Sequence, residues 1–338
     1  MNTTVDSDFI SGLGDLKTVG RYEIASKLGQ GGTAVVYLGK DPYIKRKVAI
    51  KIALPSDRYR EGFFLEVQST GRLNHPNIIA IYDAGVHGEY CYITMEYVEG
   101  DTLEKYCRKD SLLSLSKTIE IILKACHALD YAHKQGVVHR DIKPSNIMMD
   151  TEGEIKITDF GIAQVTGQTA PMGLFGTPSY MPPEQLKEEI SGSQGDIFSL
   201  GCVLYELLTG ELAFSGSNFF SIMYKITDGE PPPMLEVRPD LPKILEEITL
   251  KALIKDPADR YQTCMDLAYD LRVALRGITE TTKDEKQKDL VDFIHKIPFF
   301  NNFTTEYVQE LLSTSTSSES AKAKSLYPTV KLTTVSTL

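Results

Sequence analysis

The chain has 338 residues, 42% of them hydrophobic, which is enough to bury a large core in one or two domains. Its formal net charge of -10 disfavours general nucleic-acid binding, because the phosphate backbone would repel an acidic surface. The five cysteines form no CxxC pair, which argues against a disulfide framework or a cysteine zinc site. Without a membrane-length apolar run or a signal-peptide core, the sequence predicts a cytoplasmic protein with neither membrane nor nucleic-acid partners.

The first part of the chain is rich in short β-type segments. Residues 1–20 are mostly small and polar, and they predict a flexible tail. From residue 21, five runs rich in β-branched and aromatic side chains predict an antiparallel sheet with one helix between its third and fourth strands. The strands are expected at 22–27, 35–39, 47–53, 77–86 and 90–97, and the helix at 61–73.

The rest of the chain is mainly helical in pattern. Apolar spacing predicts helices at 116–134, 196–208, 217–228, 241–254 and 263–275, and Gly or Pro clusters separate the later ones. The pattern therefore predicts an α+β fold of two lobes: a small five-stranded antiparallel lobe with one helix (21–98) and a larger α-helical lobe (99–277). A charged linker (278–290), a helical segment (291–312) and a Ser/Thr-rich disordered tail (313–338) are expected to follow.

A glycine-rich segment joins the first two predicted strands. Its sequence is Leu28-Gly29-Gln30-Gly31-Gly32-Thr33-Ala34. Glycine lacks the Cβ that would keep backbone N–H groups away from a phosphate, so the segment suits a loop that covers a nucleotide triphosphate. An ordinary hairpin turn is the alternative for a glycine run taken alone. A dinucleotide-binding fingerprint is disfavoured, because that motif needs a helix after the glycines and a strand is predicted here.

Lys51 ends the apolar run Val48-Ala49-Ile50-Lys51 on the third predicted strand. A buried ammonium group needs an anionic partner, and Glu66 on the predicted helix is the natural candidate. Such a pair would hold Lys51 against the α- and β-phosphates of a nucleotide. The alternative is a strand lysine whose ammonium group lies in solvent.

Two motifs in fixed order carry the strongest chemical signal. The loop His139-Arg140-Asp141-Ile142-Lys143-Pro144-Ser145-Asn146 follows the long predicted helix, and Asp159-Phe160-Gly161 follows a short strand. The order and spacing of these motifs are typical of enzymes that transfer a phosphoryl group. Such a transfer depends on the positioning of the reactants and on the neutralisation of charge. Asp159 and Asn146 offer the oxygen ligands that Mg²⁺ prefers. Asp141 would accept the proton of the attacking hydroxyl, and Lys143 would lie beside the transferred phosphate.

These motifs resemble the eukaryotic-like (Hanks-type) bacterial serine/threonine protein kinases over residues 21–277. The resemblance implies a bilobal protein kinase fold that uses ATP and Mg²⁺, with Mn²⁺ as an alternative ion, to phosphorylate Ser or Thr of protein substrates. It implies a hinge at residues 96–98 with Met95 as gatekeeper. The expected ATP-binding residues are Leu28, Gly29, Gln30, Gly31, Gly32, Thr33, Ala34, Val36, Ala49, Lys51, Glu66, Met95, Glu96, Val98 and Met148.

The resemblance also implies regulatory and supporting residues. Arg140 would pair with a phosphorylated activation-loop residue, so we expect autophosphorylation at Thr166 or Thr169, with self-association if it occurs in trans. Thr177 would line the substrate platform. Glu184 is expected to pair with Arg260, and Asp196 to support the backbone of the catalytic loop. The chain departs from the family pattern at Ala34, in place of a third glycine, and at Pro182, in place of alanine.

Two other functions compete with this interpretation. A pseudokinase would act as a scaffold, but it would have lost one of Lys51, Asp141, Asn146 or Asp159, and all four are present. A small-molecule phosphotransferase with the same fold is disfavoured by the segment 159–184, which resembles a peptide platform. Residues 296–303 weakly resemble the start of a cyclic-nucleotide-binding module. A docking helix is the alternative, because few residues follow.

Overall fold

The computed structural model of the protein describes residues 16–31, 34–53, 64, 67–68, 70–160, 178–187, 189 and 191–295. The chain divides into two compact units, Met1–Leu275 and Arg276–Leu338. Both sheets and all described helices except the end of the last one lie in the first unit.

An antiparallel sheet of six strands, in the spatial order β1-β2-β3-β4-β6-β5, forms the N-terminal lobe. Its buried cluster combines β-branched and aromatic side chains, which suit a half-buried pleated surface. The strands are β1 (Thr18–Val19), β2 (Tyr22–Gln30), β3 (Ala34–Lys40), β4 (Lys47–Ala53), β5 (Ile81–His87) and β6 (Tyr90–Glu96). The cluster contains Val19, Tyr22, Val35, Tyr37, Val48, Ile50, Ile52 and Tyr92.

The sheet corrects two of the predicted boundaries. Strand β1 lies inside the predicted tail, because Gly20, at a φ of +54°, reverses the chain and lets Val19 pair with Tyr22. Strand β5 begins four residues later than predicted. Residues 77–80 instead contact the C-terminal lobe, where Ile78 forms a parallel bridge with Ile157. Of the predicted helix at 61–73, residues 64, 67–68 and 70 are helical, and most of the others lie outside the described residues.

A second sheet of three short antiparallel strands begins the C-terminal lobe, in the order β7-β8-β9. Its strands are β7 (Gly100–Thr102), β8 (Ile147–Asp150) and β9 (Ile155–Ile157). Strand β8 directly follows the predicted catalytic loop, and strand β9 comes just before the motif that begins at Asp159. The hairpin that they form therefore brings these motifs to the same end of the lobe.

The helical lobe is built around two long helices. Helix α1 begins where the Ser114 side chain accepts a hydrogen bond from Lys117 N (3.3 Å), and its predicted apolar face is buried. Almost every residue of α3 is buried, and Gly210 ends that helix in the left-handed conformation. The helices are α1 (Leu115–Lys134), α2 (Pro183–Leu186), α3 (Ser193–Thr209), α4 (Phe219–Thr227), α5 (Met234–Val237), α6 (Lys243–Ala252) and α7 (Cys264–His295).

Helix α7 overturns the predicted linker. It runs without interruption through residues 278–290 and into the predicted C-terminal helical segment. The reason is local composition: Lys, Glu and Gln are strong helix formers, and no Gly or Pro occurs between Gly277 and Pro298. High charge alone was therefore a poor signal for a linker. Across the part of the chain that the structure describes, the helices are too short or too polar to cross a bilayer.

Candidate active site

The backbone of the catalytic loop is held by one buried carboxylate in the first turn of α3. Asp196 is fully buried, and its Oδ2 accepts hydrogen bonds from His139 N (2.8 Å) and from His133 Nε2 (2.7 Å). Its Oδ1 accepts from Arg140 N (2.7 Å). Arg140 has a φ of +67°, which is costly for a residue with a side chain and persists only when the surroundings impose it. Asp196 thus holds the backbone of a strained loop.

His139 links this loop to the strand before Asp159. Asp141 N donates to His139 Nδ1 (3.2 Å), and Nε2 of the same ring lies 2.8 Å from Thr158 O. Since a carbonyl oxygen can only accept, the ring proton belongs on Nε2. The ring also packs against Phe160, with 4.5 Å between the centroids. His139 therefore orients both motifs and does not face the reacting groups itself.

Asp141, Lys143 and Asn146 form a hydrogen-bonded group on the catalytic loop. Lys143 Nζ lies 2.7 Å from Asp141 Oδ2, and Asn146 Nδ2 donates to the same oxygen (3.0 Å) and to Asp141 O (2.8 Å). Asn146 is buried, whereas Asp141 is 45% exposed at its side chain. Because the Asn146 amide nitrogen is used within the loop, its amide oxygen is the atom left for an ion.

Asp159 carries the second carboxylate of the site. Its φ of +59° turns the chain sharply after β9, and its Oδ1 lies 2.6 Å from Lys51 Nζ. Burial acts to raise the pKa of Asp159, but the charge and hydrogen bond of Lys51, together with the charges of His139 and Lys143, lower the pKa below its usual value. The group is therefore an anion at neutral pH. The sequence had paired Lys51 with Glu66, which lies outside the described residues.

The described residues of the glycine-rich segment end β2 and begin β3. Gly31 N donates to Ala34 O (2.9 Å), which closes the turn. A Cβ placed on Gly29 would meet no atom within 4 Å, and neither Gly29 nor Gly31 has a positive φ. Internal packing and backbone strain thus leave these glycines unexplained, whereas close approach by a ligand explains them.

Apolar residues predicted to bind ATP lie on four strands of the same sheet, β2, β3, β4 and β6. Leu28, at the end of β2, is 46% exposed, which is high for a leucine beside a sheet. Ala49 pairs with Met95 across β4 and β6, and Val36 pairs with Lys51 across β3 and β4. Two other predicted ATP-binding residues are Val98, in the hinge, which is buried, and Met148, which is half-buried on β8.

Glu184 and Arg260 form the expected supporting pair. Arg260 Nη1 and Nη2 donate to the two Glu184 oxygens at 3.0 and 3.2 Å, and both side chains are buried. The guanidinium also donates to the carbonyl oxygens of Gln194, Ile254 and Lys255. All of its donor directions are therefore used, and α2 is fixed to the loop that precedes α7.

The structure adds two residues that the sequence interpretation missed. His133 donates to Asp196, and Lys156 on β9 forms an ion pair with Glu96. Neither residue lies within a catalytic motif, so only the fold could connect them to the site. Several predicted residues fall outside the described part of the chain: Gly32, Thr33, Glu66, Thr166, Thr169 and Thr177.

Comparison with known proteins agrees with this geometry. The family model described as "Protein kinase domain" matches residues 22–271. "Serine/threonine-protein kinase PrkC" of Bacillus subtilis is 41% identical over 263 residues, covering 75% of this chain and 40% of the relative. "Serine/threonine-protein kinase PknB" is 40% identical over 265 residues in Mycolicibacterium smegmatis and 39% in Mycobacterium tuberculosis H37Rv, covering 74% of this chain and 42% of each relative. The chain spans about two-fifths of the length of these relatives.

Proposed function

Since this chain belongs to the protein kinase family, among its bacterial serine/threonine members, we propose that it transfers the γ-phosphate of ATP to Ser or Thr side chains of proteins. The observation that carries the proposal is the grouping of Asp141, Lys143 and Asn146 on one loop, whose backbone Asp196 holds through two hydrogen bonds. Proteins that use this fold only as a scaffold have no need for such a grouping.

Asp141 is the residue that receives the substrate hydroxyl. Its carboxylate is half-exposed and is fixed by two neighbours, so it can accept the hydroxyl proton while orienting the oxygen for attack. Lys143 supplies a positive charge next to the same carboxylate, where charge accumulates on the transferred phosphate. The glycine-rich loop and Lys51 hold the other phosphates.

We propose Mg²⁺ as the ion, with Mn²⁺ as a substitute, held by Asp159 and the Asn146 amide oxygen. Within the described ranges, no three His, Cys, Asp or Glu side chains are grouped closely enough to hold a metal by themselves. This pattern suits Mg²⁺, which commonly binds one or two protein oxygens and completes its shell with substrate phosphates and water. Bound there, the ion neutralises charge on the phosphates.

Regulation by autophosphorylation is part of the proposal. Arg140 Nε is buried and has no hydrogen-bond partner within the described part of the chain. A phosphate on Thr166 or Thr169 would supply acceptor oxygens for that guanidinium and would stabilise the strained loop. Self-association would allow one copy to phosphorylate another, and Thr177 would contact the protein substrate. Free cysteines suit a reducing compartment such as the cytoplasm.

Incubation of the purified chain with radiolabelled ATP, Mg²⁺ and a generic basic protein tests the function. We expect label on Ser or Thr of the added protein and, by mass spectrometry, on Thr166 or Thr169. The Asp141→Asn variant should lose both signals while it still binds ATP. Bound ATP with no labelled protein would instead indicate a scaffold, and label only on small molecules would indicate a small-molecule phosphotransferase.

A further inference from the structure

An ion pair joins the hinge to the strand that leads to Asp159. Lys156 Nζ lies 2.9 Å from the Glu96 carboxylate, and Ala80 N donates to Oε2 of the same carboxylate (3.3 Å). The two side chains are only 20% and 26% exposed. A pair shielded to this degree is screened less by salt than a surface pair, so its geometry is better defined.

Each partner is attached to a different end of the nucleotide site. Glu96 is the last residue of β6 and begins the hinge, and its backbone N–H donates to Ala80 O (2.8 Å). Lys156 lies at the centre of β9, three residues before the carboxylate that is proposed to bind the metal ion. The adenine end and the metal end of the site are therefore linked through two charged side chains.

Residues 77–80 complete this link. Asn77 Nδ2 donates to Ile155 O (3.0 Å), Ile157 N donates to Asn77 O (2.9 Å), and Ile79 N donates to Ile157 O (2.9 Å). This segment therefore lies between β9 and the end of β6, bonded to both. The ion pair closes the ring of contacts at the point where the chain passes from one lobe to the other.

We propose that Lys156 is a positioning residue that, through Glu96, fixes the distance between the hinge and the strand that leads to Asp159. ATP must contact both places at once, so the pair maintains a site preorganised for the nucleotide. The inference rests on the proposed nucleotide site and deepens it. It gives a function to a lysine that contacts none of the reacting groups.

A second ion pair on the same hairpin provides a matched control. Lys124 Nζ lies 2.7 Å from Glu154 Oε1, beside β9, and 2.7 Å from Glu120 Oε1 on its own helix, and the lysine side chain is 22% exposed. Lys124 belongs to α1, so this pair lies wholly within the C-terminal lobe and does not reach the hinge. Removal of Lys124 tests the loss of a comparable charge contact without any effect on the distance between hinge and strand.

The test compares Lys156→Met, Lys156→Arg and Lys124→Met by steady-state kinetics and by direct titration with ATP and Mg²⁺. For Lys156→Met we expect the KM for ATP and the nucleotide Kd to rise about three- to tenfold, the effect of losing one partly shielded ion pair. The kcat and the KM for peptide should stay within about twofold. Lys156→Arg should recover most of the affinity, and Lys124→Met should match the unmodified protein.

A nucleotide Kd for Lys156→Met equal to that of Lys124→Met would overturn the inference. So would an arginine variant no better than the methionine variant. If Lys156→Met fails to fold, Glu96→Gln decides: it keeps an acceptor for Ala80 N, and an unchanged Kd there also overturns the inference. Failure of the proposed function itself is distinguishable, because the unmodified protein would then neither bind ATP nor label a substrate.

Discussion

Two ion pairs in this molecule have similar chemistry and opposite surroundings. Arg260 and Glu184 are joined by two hydrogen bonds, their side chains are 0% and 6% exposed, and the guanidinium also donates to three backbone carbonyls. Lys51 and Asp159 meet at 2.6 Å, but the Asp159 side chain is 33% exposed and stands at a strained backbone position.

The difference separates a supporting pair from a functional one. Arg260 has a fixed set of acceptors and can exchange none of them without leaving a buried charge unpaired. Asp159 keeps an exposed oxygen that an ion can bind, and Lys51 can turn towards phosphates without leaving its strand. Loss of the first pair should therefore damage folding, and loss of the second should damage catalysis.

Asp159→Asn should have the largest effect of all. We expect kcat/KM to fall by at least about a thousandfold, because the metal-binding charge and an electrostatic partner of Lys51 are lost together. The free energy of unfolding should change by about 1 kcal/mol or less, since the carboxylate is partly exposed. Kinetics and urea unfolding on the same preparation measure both. A large loss of stability would erase the distinction between the two pairs.

The stability difference between the unmodified protein and Asp159→Asn should depend on pH. Burial tends to raise the pKa of Asp159, but Lys51, His139 and Lys143 together lower it below its usual value. A lowered carboxyl pKa contributes stability that is complete above about pH 4 and disappears as the pH falls through the folded-state pKa. The stability difference between the unmodified protein and Asp159→Asn should therefore shrink in acid, and urea unfolding across that range measures it. A difference that grows in acid would contradict the assigned shift.

Arg260→Met should show the reverse pattern. We expect a loss of about 3–5 kcal/mol in the free energy of unfolding, because Glu184 would remain buried without a counter-charge. Arg260→Lys keeps the charge without the planar fork, so its loss should be smaller. Urea unfolding measures all three proteins. A change below about 1 kcal/mol in Arg260→Met would show that water or a neighbour replaces the guanidinium.

Substitution of Asp196 tests whether support of the catalytic-loop backbone can be separated from catalysis. Asp196→Asn leaves one oxygen to face three donors, so Arg140 should relax from its positive φ and Asp141 should move. We expect kcat to fall about ten- to a hundredfold with the KM for ATP unchanged, as for a lost interaction of about 1–3 kcal/mol. His133→Gln, which spares both backbone donors, should cost less than about fivefold on the same scale. If kcat fell as far in His133→Gln as in Asp196→Asn, the histidine would be the residue on which the geometry of the catalytic loop depends.

The catalytic loop and the strands beside it were predictable because their chemistry and their periodicity agree. Asp141, Asn146 and Asp159 stand at fixed offsets that carry a chemical meaning, and the strand pattern before Asp159 is short but clear. The Glu184–Arg260 pair was predictable only through the family resemblance, since 76 residues separate its partners.

Other features depended on tertiary contacts that no local pattern encodes. Residues 77–80 read as a strand continuous with β5, yet they bond to β9, because Asn77 finds its acceptor there. Lys156 has the sequence environment of any strand lysine, and only the approach of the hinge gives it a partner. The predicted linker at 278–290 is helical for a different reason, because the helix propensity of its charged residues outweighs the tendency of a charged segment to stay unstructured.

Lys255 is a third kind of cation, because within the described residues no carboxylate lies within ion-pair distance of it. Its Nζ lies 4.0 Å from the centroid of the Phe214 ring, and it donates to Lys225 O (3.3 Å). Burial lowers the pKa of Lys255 to about 8, although the nearby Cys202 acts in the opposite direction. The folded protein thus holds this charge at some cost, which the aromatic ring offsets in part.

Lys255→Met should give the smallest effect, and one of opposite sign. An amine with a lowered folded-state pKa destabilises the fold below that pKa, and the penalty fades as the pH rises from about 8 towards the ordinary lysine value near 10.4. We therefore expect Lys255→Met to gain up to about 1 kcal/mol at pH 7 and less at pH 9.5, measured by urea unfolding. Lys251 lies 4.2 Å from the Tyr261 ring but also 3.6 Å from an Asp270 oxygen, so Lys251→Met is the control without that gain. Destabilisation by Lys255→Met at pH 7 would mean that the aromatic faces outweigh burial. A half-buried lysine could then stabilise this fold without a carboxylate partner.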